Sequence, residues 1–233
     1  MKNNFNKSKV SILLLVHNEI KTIERDIISI RKNLKNKINY QLVIVQDGSK
    51  DGTFEKLNLI KNKYNLTLSN VKKRRGYTKA FKVGVKKCKN ETIFFSDTGS
   101  KYSFNNIKKF LNSFYNQKAD GVFAYRIERQ DKYLRRILTF YYTFFINILF
   151  GKNFKDYDCG FKVYKKKILL NILNKYSFTP HLINSQIFIY FFLNKKKIVQ
   201  LPIKYLETKY RSSRGLPMNK LILIIFKSII NII

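Results

Sequence analysis

Short runs of consecutive apolar residues alternate along the chain with longer stretches whose apolar positions recur every three or four residues. Residues 10–16 (Val-Ser-Ile-Leu-Leu-Leu-Val), 40–45, 66–71, 92–96 and 119–125 are of the first kind. They are rich in β-branched and aromatic side chains, the composition of strands covered on both faces. Residues 22–34 are of the second kind, with Ile23, Ile27, Ile30 and Leu34 on one helical face. Residues 54–64, a stretch running to about Cys88, and residues 107–116 read the same way. Strand alternating with helix predicts an α/β class, with a mostly parallel sheet flanked by helices and right-handed crossovers.

The second half is more apolar. Residues 137–150 carry no charge and include Tyr141, Tyr142, Phe144, Phe145 and Phe150. The stretch is shorter than the ~20 residues of a spanning helix, so it reads as an interfacial helix or as a core helix. Residues 183–193 are apolar apart from Asn184, Ser185 and Gln186. Pro202 makes residues 198–205 an edge strand, because proline cannot donate to a central ladder. A basic loop follows at 210–215, then an apolar stretch at 221–233, again short for a span. The expected organisation is one domain over 1–215 and a C-terminal helix over 216–233, resting on a membrane surface or a partner. Neither a repeat nor a long linker divides the chain.

Where the strands stop, chemistry begins. The 40–45 run ends at Gln46-Asp47-Gly48-Ser49, and the 92–96 run ends at Asp97-Thr98-Gly99-Ser100. Ligands of an open parallel sheet bind beyond the carboxyl ends of its strands, so both aspartates are expected at the mouth of a cleft. Asp47 there can accept from a nucleobase or a ribose, and the amides that follow can meet phosphate. Asp-Gly is equally the composition of a plain turn, with Ser49 or Asp51 as a helix cap. Asp97 can carry a divalent cation, a hard ion that takes oxygen ligands. Gly76, Ala80, Gly84 and Cys88 recur every four residues, a small-residue face that packs closely on a sheet. Arg74 and Arg75 ahead of that helix suit phosphate or simple solvation.

Charge changes the picture less than its size suggests. The 233 residues hold 47 Lys plus Arg against 14 Asp plus Glu, a formal charge of +33. That balance favours anionic partners such as acidic lipid or phosphorylated substrates. Most of it is lysine, however, in a chain also heavy in asparagine and isoleucine, a pattern that coding bias produces as readily as selection for a partner. Its aromatics cluster in apolar runs and are not interleaved with basic residues, so no nucleic-acid partner is expected. Cys88 and Cys159 lie far apart without metal-ligand spacing and suit a reducing compartment. His17 and His181 are too isolated for a zinc site.

Taken in order, the motifs resemble the family-2 inverting glycosyltransferases of GT-A fold, the nucleotide-diphospho-sugar transferases with a Rossmann-like sheet. Within that family they are most similar to the polyprenyl- and dolichyl-phosphate sugar synthases. The resemblance covers roughly residues 10–215. Leu15-Val-His-Asn-Glu19 resembles Pro-Val-Tyr-Asn-Glu, and Gln46-Asp-Gly-Ser-Lys-Asp-Gly-Thr53 resembles Asp-Asp-Gly-Ser-Thr-Asp-Gly-Thr. Gly76, Ala80 and Gly84 keep the family's glycine-rich helix start, with Lys82 at its arginine. Tyr125-Arg126 resembles the Ser-Arg of the acceptor segment, and residues 156–162 resemble Asp-x-x-(Ser/Cys)-Gly-Phe-(Arg/Lys). Leu201-Pro-Ile-Lys-Tyr205 is similar to Val-Pro-Val-x-Tyr. The chain departs from the pattern at Gln46 for Asp, Gln186 for Glu, and Gly99 for the second carboxylate of the Asp-x-Asp metal motif.

The resemblance implies transfer of a sugar from a nucleoside diphosphate sugar, UDP- or GDP-linked, with inversion. Glu19, Asp47, Gly48, Ser49, Gly76 and Lys82 would hold the donor. Asp97 would anchor Mg²⁺ or Mn²⁺ on the diphosphate, neutralising the leaving charge. Arg126, Arg129 and Arg135 would position a lipid phosphate, a polyprenyl or dolichyl phosphate, whose oxygen is already ionised. A hydroxyl acceptor would need a base instead, and Asp156 or Asp158 is available. Asp97, Asp156 and Arg126 are thus the catalytic candidates. A glycan or glycolipid acceptor, or a nucleotide-sugar-binding relative with impaired catalysis, is the alternative. The expected location is cytoplasmic, peripheral on a membrane, with a homo-oligomer or a membrane subunit as possible partners.

Overall fold

The computed structural model describes residues 9–34, 38–130, 133–179 and 182–206. The expected basic loop at 210–215 and the apolar stretch at 221–233 lie outside them, as does the side chain of Arg135.

Four β/α steps and a fifth strand build the first half: β1 (Lys9–Val16), α1 (Ile23–Leu34), β2 (Asn39–Asp47), α2 (Thr53–Tyr64), β3 (Leu66–Val71), α3 (Tyr77–Lys87), β4 (Thr92–Asp97), α4 (Ile107–Asn116) and β5 (Gly121–Ile127). A single 3-10 turn, Phe104–Asn106, leads into α4. The second half supplies α5 (Tyr133–Phe150), β6 (Phe161–Lys165), α6 (Lys166–Lys175), α7 (Ile183–Leu193) and β7 (Ile198–Lys204). The described strands form one sheet in the order β3-β2-β1-β4-β6-β5-β7. Only β6 runs against its neighbours, pairing antiparallel with β4 and β5. The sheet is therefore mostly parallel, and β7 closes one edge, where Pro202 placed it.

Alternate side chains of each strand enter different cores, as the two-residue period requires. Val10, Ile12, Leu14, Leu42, Ile44 and Phe94 join α1 and α4 on one face. Leu13, Leu15, Val43, Val45, Ile93 and Phe95 join α3, α6 and α7 on the other. The small-residue face of α3 does what its spacing predicts. A Cβ on Gly84 would stand 2.4 Å from Leu13 Cδ1 and 3.1 Å from Val45 Cγ2, so only glycine lets the helix sit this close to β1 and β2.

Two elements went unread in the sequence, β6 and α6. The helix α7 is buried over residues 183–191, polar positions included. The opposite holds for α5, where Tyr142 and Ile146 are buried but Tyr133, Leu134, Phe140, Tyr141, Phe144, Phe145, Ile148 and Leu149 are exposed. A core helix does not look like this, so of the two readings only the surface helix survives. No described helix is long and apolar enough to cross a membrane.

Candidate active site

Strands β1, β2 and β4 end side by side, with Leu15 in register with Val45 and Asp97. Their loops form one rim. His17 Nδ1 lies 2.8 Å from the Asp47 carbonyl, and the Asn18 amide donates to Ser49 Oγ at 2.9 Å. The Glu19 amide donates to Thr53 Oγ1, at the start of α2. Gln46 accepts from the Ser49 amide and donates to Asn70, so the residue that departs from the family pattern here braces the turn.

Asp47 has a role that its sequence context did not suggest. Its two carboxylate oxygens accept the backbone N–H groups of Arg75 and Gly76, at 2.8 and 2.9 Å. Gly48, at φ 64°, lies so close that a Cβ would stand 2.4 Å from the Arg74 nitrogen. Asp47 and Gly48 thus fasten the β3–α3 loop across the end of β2. The carboxylate expected to meet a nucleoside accepts one backbone amide on each oxygen, and it shapes the site by holding residues 74–76. Gly76 supplies φ 90° at the start of α3, with open space around it. Lys82 places its ammonium over the Phe178 ring at 5.0 Å.

Asp97 lies at the junction of β4 and β6. Its amide donates to the Gly160 carbonyl at 2.8 Å, and a Cβ on Gly160 would collide with its carboxylate at 2.3 Å. The glycine of the Cys-Gly-Phe-Lys element is what allows that approach. The Tyr77 hydroxyl donates to Asp97 Oδ1, Asn184 Nδ2 donates to the Tyr77 oxygen, and both distances are 2.8 Å. Lys162, fully buried, donates from Nζ to the Asn184 carbonyl at 2.9 Å, and burial pushes its ammonium down to about 8. Asp97, Tyr77, Asn184 and Lys162 therefore link β4, α3, α7 and β6 through one polar chain.

The loop after Asp97 turns on Asp26 of α1. That carboxylate accepts the amides of Gly99 and Ser100 and the Ser100 hydroxyl, at 3.0, 3.3 and 3.1 Å. Burial lifts its carboxyl to about 6, against the pull of those donors. Glu19 accepts from Thr22 Oγ1 at 2.7 Å, and its carboxylate lies against Gly99.

A divalent ion at Asp97 finds little to hold it. Tyr77 donates to one carboxylate oxygen, and Lys101 Nζ is 3.9 Å from the other. Position 99 brings no side chain. No group of three His, Cys, Asp or Glu among the described residues could hold a metal. Hard ions want six or more oxygens, and one shared carboxylate beside an ammonium is a poor start. The residues present do not fit a resident metal.

The acceptor-side arginines divide into two roles. Arg126 forms a buried two-pronged pair with Asp156, Nε to Oδ2 at 2.7 Å and Nη2 to Oδ1 at 3.0 Å. Burial alone would raise the Asp156 carboxyl, but the guanidinium beside it holds it below the usual carboxylate range. So placed, Asp156 and Arg126 face the cleft as an ion pair, and a carboxyl held low by a guanidinium is a weak base. Asp158, half-buried, has its carboxyl raised by burial. Gln186 is buried and bonds Thr179, away from any acid–base role.

That pair lines a cavity of about 520 Å³ together with Arg129, Arg136 and Lys155 and with Tyr133, Phe140 and Tyr141 of α5. Arg129 Nη2 donates to Thr139 at 3.3 Å, and Lys155 lies over the Tyr125 ring. Positive and aromatic side chains share this cavity, a mixture that suits a ligand with both an anionic and an apolar part.

Several of these residues were missed in the sequence. Asp26 interrupts the apolar stripe Ile23, Ile27, Ile30 of α1, and a carboxylate on a buried stripe is a readable signal. Asn184 stood out as a polar break in an apolar helix. Lys101 and Lys155 carried no local mark in a lysine-rich chain.

The description "Glycosyl transferase family 2" matches residues 11–173. The undecaprenyl-phosphate 4-deoxy-4-formamido-L-arabinose transferase of Edwardsiella ictaluri is 24% identical over 180 residues, 75% of this chain and 53% of that one. The dodecaprenyl-phosphate galacturonate synthase of Rhizobium johnstonii is 24% identical over 136 residues, 57% of this chain and 40% of that one. The chain thus aligns with about half or less of each named transferase. Among solved structures, the glucosyl-3-phosphoglycerate synthase of Mycobacterium tuberculosis in complex with Mn²⁺, UDP-glucose and phosphoglyceric acid superposes with a TM-score of 0.69. It is 16% identical, with 97% of this chain and 78% of that one covered.

Proposed function

Because the chain belongs to glycosyl transferase family 2, we propose that it moves a sugar, with inversion, from a UDP- or GDP-linked donor to a polyprenyl phosphate at a membrane surface. The observation that carries the acceptor class is the cavity beside α5. Its Arg129, Arg136 and Lys155 offer charge-assisted hydrogen bonds to a phosphate. The exposed aromatic face of α5 continues from it, as an apolar path for a lipid tail. Both curated relatives named above carry a polyprenyl phosphate in their names.

An ionised phosphate oxygen attacks without losing a proton, so the site needs no general base. That suits a cleft in which Asp156 is locked to Arg126 and positions 184 and 186 are amides. The donor lies across the ends of β2, β1 and β4, where the loop fastened by Asp47 and the Asp97 network face one another. Acceptor-side roles pass from Arg126 to Arg129, Arg136 and Lys155, with Arg126 and Asp156 shaping the floor. Arg135 keeps its expected acceptor role as part of this proposal. A peripheral place on the cytosolic face of a membrane follows from the same reading.

The test is transfer of labelled sugar from UDP- and GDP-sugars to undecaprenyl or dolichyl phosphate in vesicles, with 3-phosphoglycerate as the soluble control. A labelled, acid-labile lipid is the expected product, and Lys155→Ala and Arg136→Ala should each raise the acceptor KM by about tenfold. Transfer only to a hydroxyl acceptor would move the role of base to Asp158 and overturn the lipid-phosphate reading. Nucleotide binding without transfer to any acceptor would favour an impaired relative.

A further inference from the structure

The loop from Asp97 to Lys101 is wound through two consecutive left-handed residues, Gly99 at φ 88° and Ser100 at φ 55°. Asp26 fixes that winding with three hydrogen bonds from Gly99 and Ser100. The result returns Lys101 over Asp97, with Nζ 3.9 Å from Oδ2. Both side chains stay partly open at the mouth of the cleft, 29% and 19% exposed.

The same winding closes position 99 to a second carboxylate. A Cβ there would stand 3.1 Å from both oxygens of Glu19, so an aspartate would face like charge on a backbone that favours glycine. Gly99 is therefore part of how this loop is built. Where a metal motif would place a negative group, the chain has none, and it sets an ammonium four residues on.

We propose that Lys101, and not a divalent ion held by the chain, supplies the positive charge that meets the donor's diphosphate. The proposal rests on the donor reading given above. A lysine ammonium presents three N–H donors and can touch oxygens of both phosphates. Asp97 then orients Lys101, with Tyr77 fixing the far oxygen of the carboxylate. Arg74 and Arg75, exposed on the loop that Asp47 fastens, stand on the β2 side of the cleft to complete the neutralisation.

Calorimetric titration with UDP and with GDP, each in EDTA and in Mn²⁺, tests this on the wild-type chain, Lys101→Met and Lys101→Arg. One nucleotide should bind in EDTA, and Mn²⁺ should tighten it by no more than about threefold. Lys101→Met should weaken binding in EDTA about tenfold, the loss of one charge-assisted contact, and Lys101→Arg should restore most of it. Melting curves should overlay, because a partly exposed ion pair contributes little to stability. Binding that requires Mn²⁺, or Lys101→Met binding as tightly as wild type, overturns the proposal and leaves the donor reading standing. No binding of either nucleotide in either buffer overturns both.

Discussion

Asp26 shows how one side chain can set a loop and leave a mark on stability. Its carboxyl is raised by burial from an ordinary value near 4 to about 6, so the folded protein holds a proton there that the unfolded chain has lost. The contribution is fully present below the unfolded pKa and disappears as pH rises through about 6. Two units correspond to about 3 kcal/mol at most. Asp26→Asn keeps an oxygen for the two amides and an amide for the serine hydroxyl, without the buried charge. Urea unfolding at pH 4.5 and pH 7.5 should show wild type losing stability across that interval relative to the variant. Equal differences in the two proteins would remove Asp26 from the account. The sequence held the clue, a carboxylate on an apolar stripe. It could not show the partners, which lie more than seventy positions away. Asp47 is the same case in reverse: a strand-end aspartate is legible as a site residue, but its satisfaction by amides 75 and 76 is a tertiary fact.

Strand β5 and the loop before β6 are joined by Arg126 and Asp156, a pair with almost no exposure. Removing one partner strands a buried charge, so Arg126→Met or Asp156→Asn alone should cost about 3–5 kcal/mol. The double variant Arg126→Met/Asp156→Leu should cost clearly less than the sum, because no unpaired charge remains. A double-mutant cycle by denaturant unfolding measures it, and additive losses would mean the pair is not coupled. The elements through α4 were readable because β1, β2 and β4 are compact apolar runs, β3 shows apolar residues at 66, 68 and 71, and the helices between them carry apolar stripes. The five residues of β6 read Phe-Lys-Val-Tyr-Lys, too short and too charged to stand out, and Lys162 gives no local sign of being buried. Nor does any local pattern say that β6 runs antiparallel. That orientation follows from the sheet assembling around it.

For the molecule as a whole, a charge of +33 and an exposed aromatic helix are complementary to an anionic bilayer. On the proposed membrane-surface reading, lysines and arginines would attract the headgroups and the exposed rings of α5 would enter the interface. Phe140→Glu/Phe144→Glu should lower partitioning onto phosphatidylglycerol vesicles by tenfold or more, measured by co-sedimentation, while nucleotide binding stays as in wild type. Vesicle binding that survives the double substitution and disappears only in salt would make the attachment purely electrostatic. The sequence left residues 137–150 divided between core and surface, because an uncharged aromatic stretch suits both. Only the assembled fold shows which side chains are left uncovered.

The far edge of the sheet has a different consequence. Strand β7 is bordered by Lys195, Lys196 and Lys197 at its start and Lys204 at its end, and Pro202 removes one donor from within it. An edge so furnished repels the matching edge of another copy and offers an incomplete ladder to any intruding strand. Such a sheet does not grow by strand addition there, which protects a chain with this much aromatic and β-branched content from fibrillar stacking along β7. Two copies that associate are expected to do so by a surface other than the β7 edge.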